Sequence, residues 1–137
     1  MVDGIVLIVP EGRWIAYVSN ASGEPRVVLA GFPSGQPRCP VSVGGGSFSR
    51  WRADGRELYY VSADRQLMAV EVAPGDRACL LGSPEPLFPL PDGVNESPRV
   101  VYAPASDGQR FLFLTRAEDS DVLPIRVILN WPALAEE

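Results

Sequence analysis

The sequence predicts an all-β protein made of about three four-stranded antiparallel sheets, arranged as blades of a β-propeller. One phrase occurs three times, around Gly12, Gly55 and Gly108: an acidic residue, glycine, polar residues and a short apolar strand. The copies are 43 and 53 residues apart, close to the period of about 40–50 residues that is typical of propeller blades. Helical periodicity is missing throughout the chain. Together these observations predict half a propeller.

Each repeated phrase begins with a tight turn. In Asp54-Gly55, the glycine accepts a positive φ without a steric penalty, and the aspartate can hydrogen-bond to the turn backbone. The run that follows, residues 57–62, is β-branched and aromatic, which suits a pleated and packed surface. The other two copies, at residues 10–19 and 106–115, follow the same plan. The phrase therefore predicts a hairpin turn and the strand after it.

Blade 1 is predicted to cover about residues 1–43. Its first strand is continuously apolar, which indicates burial on both faces. Its last strand is expected at the outer edge, because Pro37 and Pro40 cannot donate to a central ladder. The strands of this blade are predicted at residues 4–9, 13–19, 26–30 and 38–43.

Blade 2 is predicted to cover about residues 44–91 and blade 3 about residues 92–137. Gly44-Gly45-Gly46 is interpreted as a flexible link between blades rather than a phosphate-binding loop, because no helix pattern or lysine follows it. The outer strand of blade 2 is left open between residues 80–81 and 86–90, and blade 3 is expected to lack its outer strand. The other strands are predicted at residues 47–52, 57–62 and 66–73 in blade 2, and at 99–103, 110–115 and 125–130 in blade 3.

Composition excludes several classes of function. The 137 residues carry a net charge of −5, which disfavours non-specific binding to nucleic acid or to an anionic membrane. The 12 basic residues are all arginine, and histidine and lysine are absent. A Ser-His-Asp triad, a histidine metal site, a Schiff-base lysine and a P-loop lysine therefore cannot be built from this chain alone. We expect no catalytic, cofactor-binding or metal-binding residues and no intrinsic enzyme activity.

Three further features of the sequence could form a site or a membrane segment. Cys39 and Cys79 match no metal-binding spacing, and both separate small apolar side chains and a disulfide stay open. The acidic loop 118–121 lacks the ligand order of an EF-hand, so we interpret it as solvated. The apolar run 5–9 is too short for a transmembrane helix and lacks the basic flank of a signal peptide. No membrane insertion is expected, and the cellular compartment stays open.

The repeated phrases resemble the Ser-Pro-Asp-Gly-(Arg/Lys) repeats of TolB-like, WD40-like bacterial β-propellers. Residues 10–20, 51–60 and 106–112 carry the resemblance, and residues 127–131 resemble the C-terminal end of such propellers. The sequence departs from the family pattern at Glu11, where the family has Asp, and at Ala53 and Ser106, where it has Pro. The resemblance implies a propeller like those appended to bacterial kinases or regulators, and it carries over no catalytic position.

The number of blades raises the question of ring closure. Propellers of this family have about six blades, whereas three are predicted here. An open arc would expose the apolar faces of its two end blades, and uncovered apolar faces predict association. We therefore expect a homodimer that closes one six-bladed ring, with residues 4–9 of the partner supplying the missing strand of blade 3. The competing interpretation is a fragment of a larger protein.

The sequence favours a non-catalytic module that binds proteins or peptides. Arg50, Trp51 and Arg52 are the candidate residues for a partner-binding rim, because Trp and Arg are common anchors of interfaces. The alternative for these three residues is structural, with Trp51 in the core between blades and the arginines solvated or paired. Two other functions stay open: the gating propeller of a prolyl-oligopeptidase-like hydrolase, and a small-ligand sensor domain.

Overall fold

The computed structural model describes residues 7–8, 14–21, 23–73, 80–94, 102–115 and 125–129. These residues form strands and turns, with no helix among them, which confirms the all-β prediction. The strands are β1 (Leu7–Ile8), β2 (Trp14–Ser19), β3 (Arg26–Gly31), β4 (Arg38–Pro40), β5 (Gly46–Trp51), β6 (Glu57–Ser62), β7 (Gln66–Ala73), β8 (Leu80–Leu81), β9 (Glu85–Pro89), β10 (Tyr102–Pro104), β11 (Arg110–Leu114) and β12 (Ile125–Leu129).

The strands form three antiparallel sheets, each from one stretch of the chain. Their orders are β1-β2-β3-β4, β5-β6-β7-β8 with β9 also paired to β7, and β10-β11-β12. Sequential antiparallel strands are the arrangement of propeller blades, and we name the sheets blade 1, blade 2 and blade 3. Each sheet lies within the residue range predicted for its blade, although the limits of the blades themselves stay predictions. Within the described residues blade 3 has three strands.

The outer edge of blade 2 is built from two short strands rather than one. β8 pairs with the end of β7, with Leu81 opposite Val72. β9 pairs with the beginning of β7, with Phe88 opposite Leu67, and the register shifts next to that pair. Both stretches that the sequence left open therefore contribute to the edge.

Blade 2 is covered on both faces, by blade 1 on one side and by blade 3 on the other. Neighbouring residues of its strands point to opposite faces. In β6, Leu58 and Tyr60 face blade 1, whereas Tyr59 and Val61 face blade 3. The core between blades 1 and 2 contains Trp14, Ala16, Val18, Val27, Leu29, Val41, Leu58, Tyr60, Val70 and Val72. The core between blades 2 and 3 contains Tyr59, Val61, Leu67, Ala69, Leu87, Phe88, Leu90, Val94, Tyr102, Phe111 and Phe113. One apolar strand thus serves two interfaces.

The repeated turns of blades 2 and 3 have the same backbone geometry. The Gly55 N–H donates to the Arg52 carbonyl oxygen at 2.9 Å, and the Gly108 N–H donates to the Ala105 carbonyl oxygen at 3.0 Å. Both glycines adopt the left-handed conformation, with φ of 72° and 70°. Glycine adopts this conformation at no steric cost, as predicted for these turns.

The aspartates of the two turns are bound by the turn backbone. Asp54 Oδ1 accepts a hydrogen bond from the Arg56 N–H at 2.9 Å. Asp107 Oδ1 accepts the equivalent bond from the Gln109 N–H at 2.9 Å. These bonds explain the acidic residue of the phrase as part of the turn. The first copy, at Gly12, lies outside the described residues.

The outward faces of the two end blades differ. On blade 1, Tyr17 and Ala30 point away from blade 2, yet they are only 5% and 1% exposed. The Arg38 guanidinium lies over the Tyr17 ring, 5.8 Å from its centroid. On blade 3, Leu112 points away from blade 2 and is 40% exposed. The outward side of blade 3 therefore has one exposed large apolar side chain among the described residues, whereas the outward Tyr17 and Ala30 of blade 1 are buried.

The N-terminal strand belongs to its own blade. Leu7 lies opposite Ala16 and Ile8 opposite Ile15, so β1 forms the inner strand of blade 1. The expectation that residues 4–9 complete blade 3 of a partner does not fit this pairing, because residues 7–8 already occupy a strand position.

Cys39 lies in β4 opposite Leu29 and is disulfide-bonded. The sequence left a disulfide and a free thiol open, and the disulfide applies to Cys39. Cys79 and the acidic loop 118–121 lie outside the described residues.

Candidate partner-binding surface

The three candidate residues lie where β5 ends. Arg50 and Trp51 are the last two residues of β5, and Arg52 begins the turn to β6. β5 is the inner strand of blade 2, and it also contacts β1, β2 and β3 of blade 1 and β10 of blade 3. The candidate residues therefore lie where all three blades approach one another.

A β-bulge interrupts β5 just before these residues. The pairing with β6 shifts register between Ser47 and Arg50, and Phe48 has a left-handed backbone with φ of 55°. The Tyr102 hydroxyl of blade 3 donates a hydrogen bond of 2.6 Å to the Phe48 carbonyl oxygen. Bulges turn the neighbouring side chains in a new direction, and a positive φ is uncommon for a bulky residue. The bulge therefore sets the direction of Arg50.

Arg50 is partly buried and held against blade 3. Its guanidinium carbon lies 5.5 Å from the centroid of the Tyr102 ring, a cation–π arrangement. Its Nη1 donates to the Ser49 carbonyl oxygen at 2.8 Å. Among the described residues, no carboxylate lies within ion-pair distance of Arg50.

Trp51 is partly buried and packs against the core between blades 1 and 2. It lies opposite Leu58 in the ladder with β6, and Leu58 is fully buried. Much of the indole surface therefore contributes to packing between blades, which corresponds to the structural alternative that the sequence left open.

Arg52 is held by two carboxylates. Its Nη2 and Nε lie 2.9 Å from the two oxygens of Asp54, and its Nη1 lies 2.7 Å from Glu57 Oε2. The hydrogen bonds that Arg52 donates to Asp54 raise the pKa of Arg52. Its charge is thus balanced within the chain, and its geometry is fixed.

The pKa values of the two carboxylates are shifted in opposite directions. The hydrogen bonds from Arg52 lower the pKa of Asp54. Burial raises the pKa of Glu57, and this effect outweighs the attraction of Arg52. Glu71 lies opposite Glu57 across the β6–β7 ladder and adds to the increase. Glu57 is therefore the carboxylate of this group that the fold holds least favourably in its charged form.

One contact in this region, between Tyr59 and Gly108, has no signal in the sequence. Tyr59 is fully buried, its hydroxyl has no hydrogen-bond partner in the part of the chain that is described, and burial raises its pKa. A Cβ on Gly108 would lie 2.5 Å from that hydroxyl oxygen. Glycine at this position therefore serves both the turn and the close approach of two blades.

The structure brings Arg50 together with Tyr102, Phe48 and Ser49. Ser49 Oγ is a second buried polar atom that lacks a hydrogen-bond partner within the described residues. Trp51 and Arg52 point to other neighbours, in the core and in the turn. Binding of a partner by the three predicted residues stays a prediction. Of the two arginines, Arg52 forms ion pairs with carboxylates, whereas Arg50 forms none with a described residue.

The described residues hold no metal-binding cluster and no membrane-spanning helix. No group of three or more Cys, Asp or Glu side chains there is arranged to hold a metal ion. None of the described segments is a helix that is long and apolar enough to cross a membrane.

Comparison with known proteins supports the fold alone. No protein-family model matches the chain, and no curated protein matches it in sequence. TolB from Acinetobacter baumannii superimposes with a TM-score of 0.57 at 16% identity, over 93% of this chain and 30% of that chain. The β-propeller domain of Cps50 (Swd1) from Myceliophteria thermophila gives 0.50 at 13% identity, over 92% and 42%. This chain is thus similar to part of a TolB-like, WD40-like β-propeller, as predicted, and spans less than half of these two structures.

Proposed function

We propose that this chain is a non-catalytic β-propeller module that binds other proteins or peptides, and that two copies complete a six-bladed ring. The observation that carries the proposal is the contrast between blade 2, which is covered on both faces, and blade 3, whose outward Leu112 is 40% exposed. In a stacked architecture each blade is stabilised by a neighbour on each face. Blade 3 therefore requires a further neighbour.

A second copy is the simplest source of that neighbour. Propellers contain typically about 4–8 blades, and two copies of three blades fall within this range. Blade 3 of one copy would then lie against blade 1 of the other. The accessible apolar part of blade 1 on that side is Ile15 and Val28, which are partly buried. Further blades of a longer polypeptide are the competing source.

The non-catalytic part of the proposal rests on the side chains available. The chain has no histidine and no lysine, and the two aspartates of the repeated turns are bound by backbone N–H groups. Glu57 accepts a hydrogen bond from Arg52. These three carboxylates thus have structural roles, which favours binding over catalysis.

Size-exclusion chromatography with light scattering tests the ring. We expect a particle of twice the chain mass of 14.8 kDa. Leu112→Asp should shift the particle to the mass of one chain, because a charge on the outward face of blade 3 would be buried in the contact. Val43→Asp is the matched control: Val43 is 78% exposed and lies between β4 and β5, away from that face. It should leave the dimer intact.

The outcomes separate the two sources of neighbouring blades. A soluble, monodisperse single chain would count against the second copy. Equal dissociation by Leu112→Asp and Val43→Asp would also count against it, because the contact would then not involve the face of blade 3.

A further inference from the structure

We infer that the bulge of β5 is a binding site for a carboxylate group, with Arg50 as its anchor. This inference rests on the proposed binding role of the module, for which it names the chemistry of the ligand. It does not depend on whether two copies form the ring, because the residues involved belong to blades 2 and 3 of one chain.

The first argument is the charge of Arg50. Arg52, two residues further on, is neutralised by Asp54 and Glu57. Arg50 is partly buried like Arg52, yet no described carboxylate lies within ion-pair distance of it. A guanidinium that has lost part of its water without gaining an anion is a favourable place for an anion to bind.

The second argument is the supply of hydrogen-bond donors on the guanidinium. Its carbon lies 5.5 Å from the centroid of the Tyr102 ring, and its Nη1 donates to the Ser49 carbonyl oxygen. A guanidinium has five N–H donors in a planar fork that matches the two oxygens of a carboxylate.

The third argument is that the surroundings are fixed. The Tyr102 hydroxyl is bound to the Phe48 carbonyl oxygen at 2.6 Å, and the Tyr102 ring stacks on Phe113 with 5.6 Å between centroids and 19° between planes. Arg50 therefore lies on a rigid platform, and little side-chain entropy is lost when a ligand binds.

The fourth argument is the strained backbone at the same place. Phe48 has φ of 55°, a conformation that costs energy for a bulky residue and is concentrated at functional sites. Beside it, Ser49 Oγ is buried without a partner among the described residues. Three consecutive residues of the bulge thus carry these features: Phe48 the strained backbone, Ser49 the hydroxyl without a described partner, and Arg50 the cation without a described carboxylate.

A carboxylate can come from an acidic side chain of a peptide or from a small free acid, and the experiment distinguishes these sources. The probes are glutarate and the capped peptide acetyl-Gly-Glu-Gly-amide, with acetyl-Gly-Gln-Gly-amide as the uncharged control and inorganic phosphate as the competing anion. Binding is followed in ¹H–¹⁵N NMR spectra at constant ionic strength by the arginine Nε–Hε signals and by the backbone amide signals of Phe48 and Ser49, which remain measurable in variants that lack Arg50. The chain has 12 arginines and no lysine, so Arg50→Lys identifies the Arg50 signal by its loss.

We expect the Arg50 signal to shift in a saturable way with glutarate or with the Glu peptide. Arg50→Gln should weaken binding roughly 10- to 100-fold, the loss expected for a charge-assisted hydrogen bond. Arg50→Lys should also weaken it, because the charge stays but the fork is lost. Arg26→Gln is the matched control, since Arg26 is exposed at the start of β3 and the net charge changes equally. It should bind as the unmodified chain does.

Tighter binding of the peptide would identify a peptide ligand, and tighter binding of glutarate a small acid; either result supports the site. The inference is overturned if neither probe shifts the Arg50 signal, if Arg50→Gln and Arg26→Gln bind equally, or if phosphate binds more tightly than both carboxylates. Should Arg50→Gln fail to fold, the comparison of Arg50→Lys with Arg26→Gln decides. If two copies do not form the ring, light scattering shows the mass of a single chain, and this result is independent of the carboxylate titration.

Discussion

The hydroxyl of Tyr59 in blade 2 lies so close to Gly108 in the turn of blade 3 that a Cβ on Gly108 would be 2.5 Å from the hydroxyl oxygen. The same glycine has φ of 70°. Two independent requirements, one from the turn and one from the neighbouring blade, thus meet at one residue. The aromatic contact behind it, with 4.9 Å between the centroids of Tyr59 and Phe111, leaves the tyrosine ring little room to move away.

Gly108→Ala is therefore expected to destabilise the protein more than an ordinary glycine substitution in a turn. Left-handed strain and overpacking together should lower the free energy of unfolding by about 2–4 kcal/mol. Gly35→Ala is the matched control, because Gly35 has φ of 79° and nothing within 4 Å of its added Cβ. It should lose only the strain part, about 1–2 kcal/mol. If Gly108→Ala and Gly35→Ala lower the free energy of urea unfolding equally, the contact with Tyr59 does not prevent a Cβ at residue 108.

Removal of the Tyr59 hydroxyl should not lower the free energy of unfolding, whereas removal of the Tyr102 hydroxyl should. Tyr59 Oη is buried without a hydrogen-bond partner among the described residues, so Tyr59→Phe should leave the free energy of unfolding unchanged or raise it by up to about 1 kcal/mol. Tyr102→Phe removes the 2.6 Å bond to the Phe48 carbonyl oxygen and should cost about 1–2 kcal/mol. Both variants can be compared by urea unfolding. A larger loss for Tyr59→Phe than for Tyr102→Phe would contradict this assignment.

The turns and the order of strands could be predicted because their causes are local. Asp-Gly specifies a hairpin turn by itself, and Gly55 and Gly108 have the left-handed backbone that such a turn requires. In β7, Leu67 and Ala69 pack in the core between blades 2 and 3, whereas Met68 and Val70 pack in the core between blades 1 and 2, as the two-residue period of a strand requires.

Other features could not be predicted because contacts between blades produce them. Phe48 and Arg65 adopt positive φ values of 55° and 64°, although nothing in their residue type favours this. For Phe48 the cause includes the bond from Tyr102, 54 residues away. Arg65 ends the turn between β6 and β7, where its N–H donates to the Ser62 carbonyl oxygen at 3.1 Å, and its Nη2 donates to the Val94 carbonyl oxygen, 29 residues away. The sequence predicts an inner strand at residues 47–52, and Arg50 and Trp51 do end β5, but which of the two arginines is neutralised depends on the positions of Asp54 and Glu57.

The pH dependence of stability should separate those two carboxylates. Asp54 has a folded-state pKa below its ordinary value of 3.8 because of Arg52, so its contribution is present above that value and is lost as pH falls. Glu57 has a folded-state pKa above its ordinary value of 4.5 because of burial. The folded state therefore holds its proton more tightly, and stability is lost as pH rises from that value through the raised pKa.

Glu57→Gln should remove this loss, so its free energy of unfolding relative to the unmodified chain should rise as pH increases above about 4.5 and then level off. Asp54→Asn should behave in the opposite way, since its cost should be constant above about pH 4 and vanish in stronger acid. The cost should be small because Asp54 has 47% of its side chain exposed. Urea unfolding across this pH range at constant ionic strength measures both. If Glu57→Gln loses stability relative to the unmodified chain as pH rises, the bond from Arg52 Nη1 at 2.7 Å outweighs the burial of Glu57, and the assignment of its raised pKa is wrong.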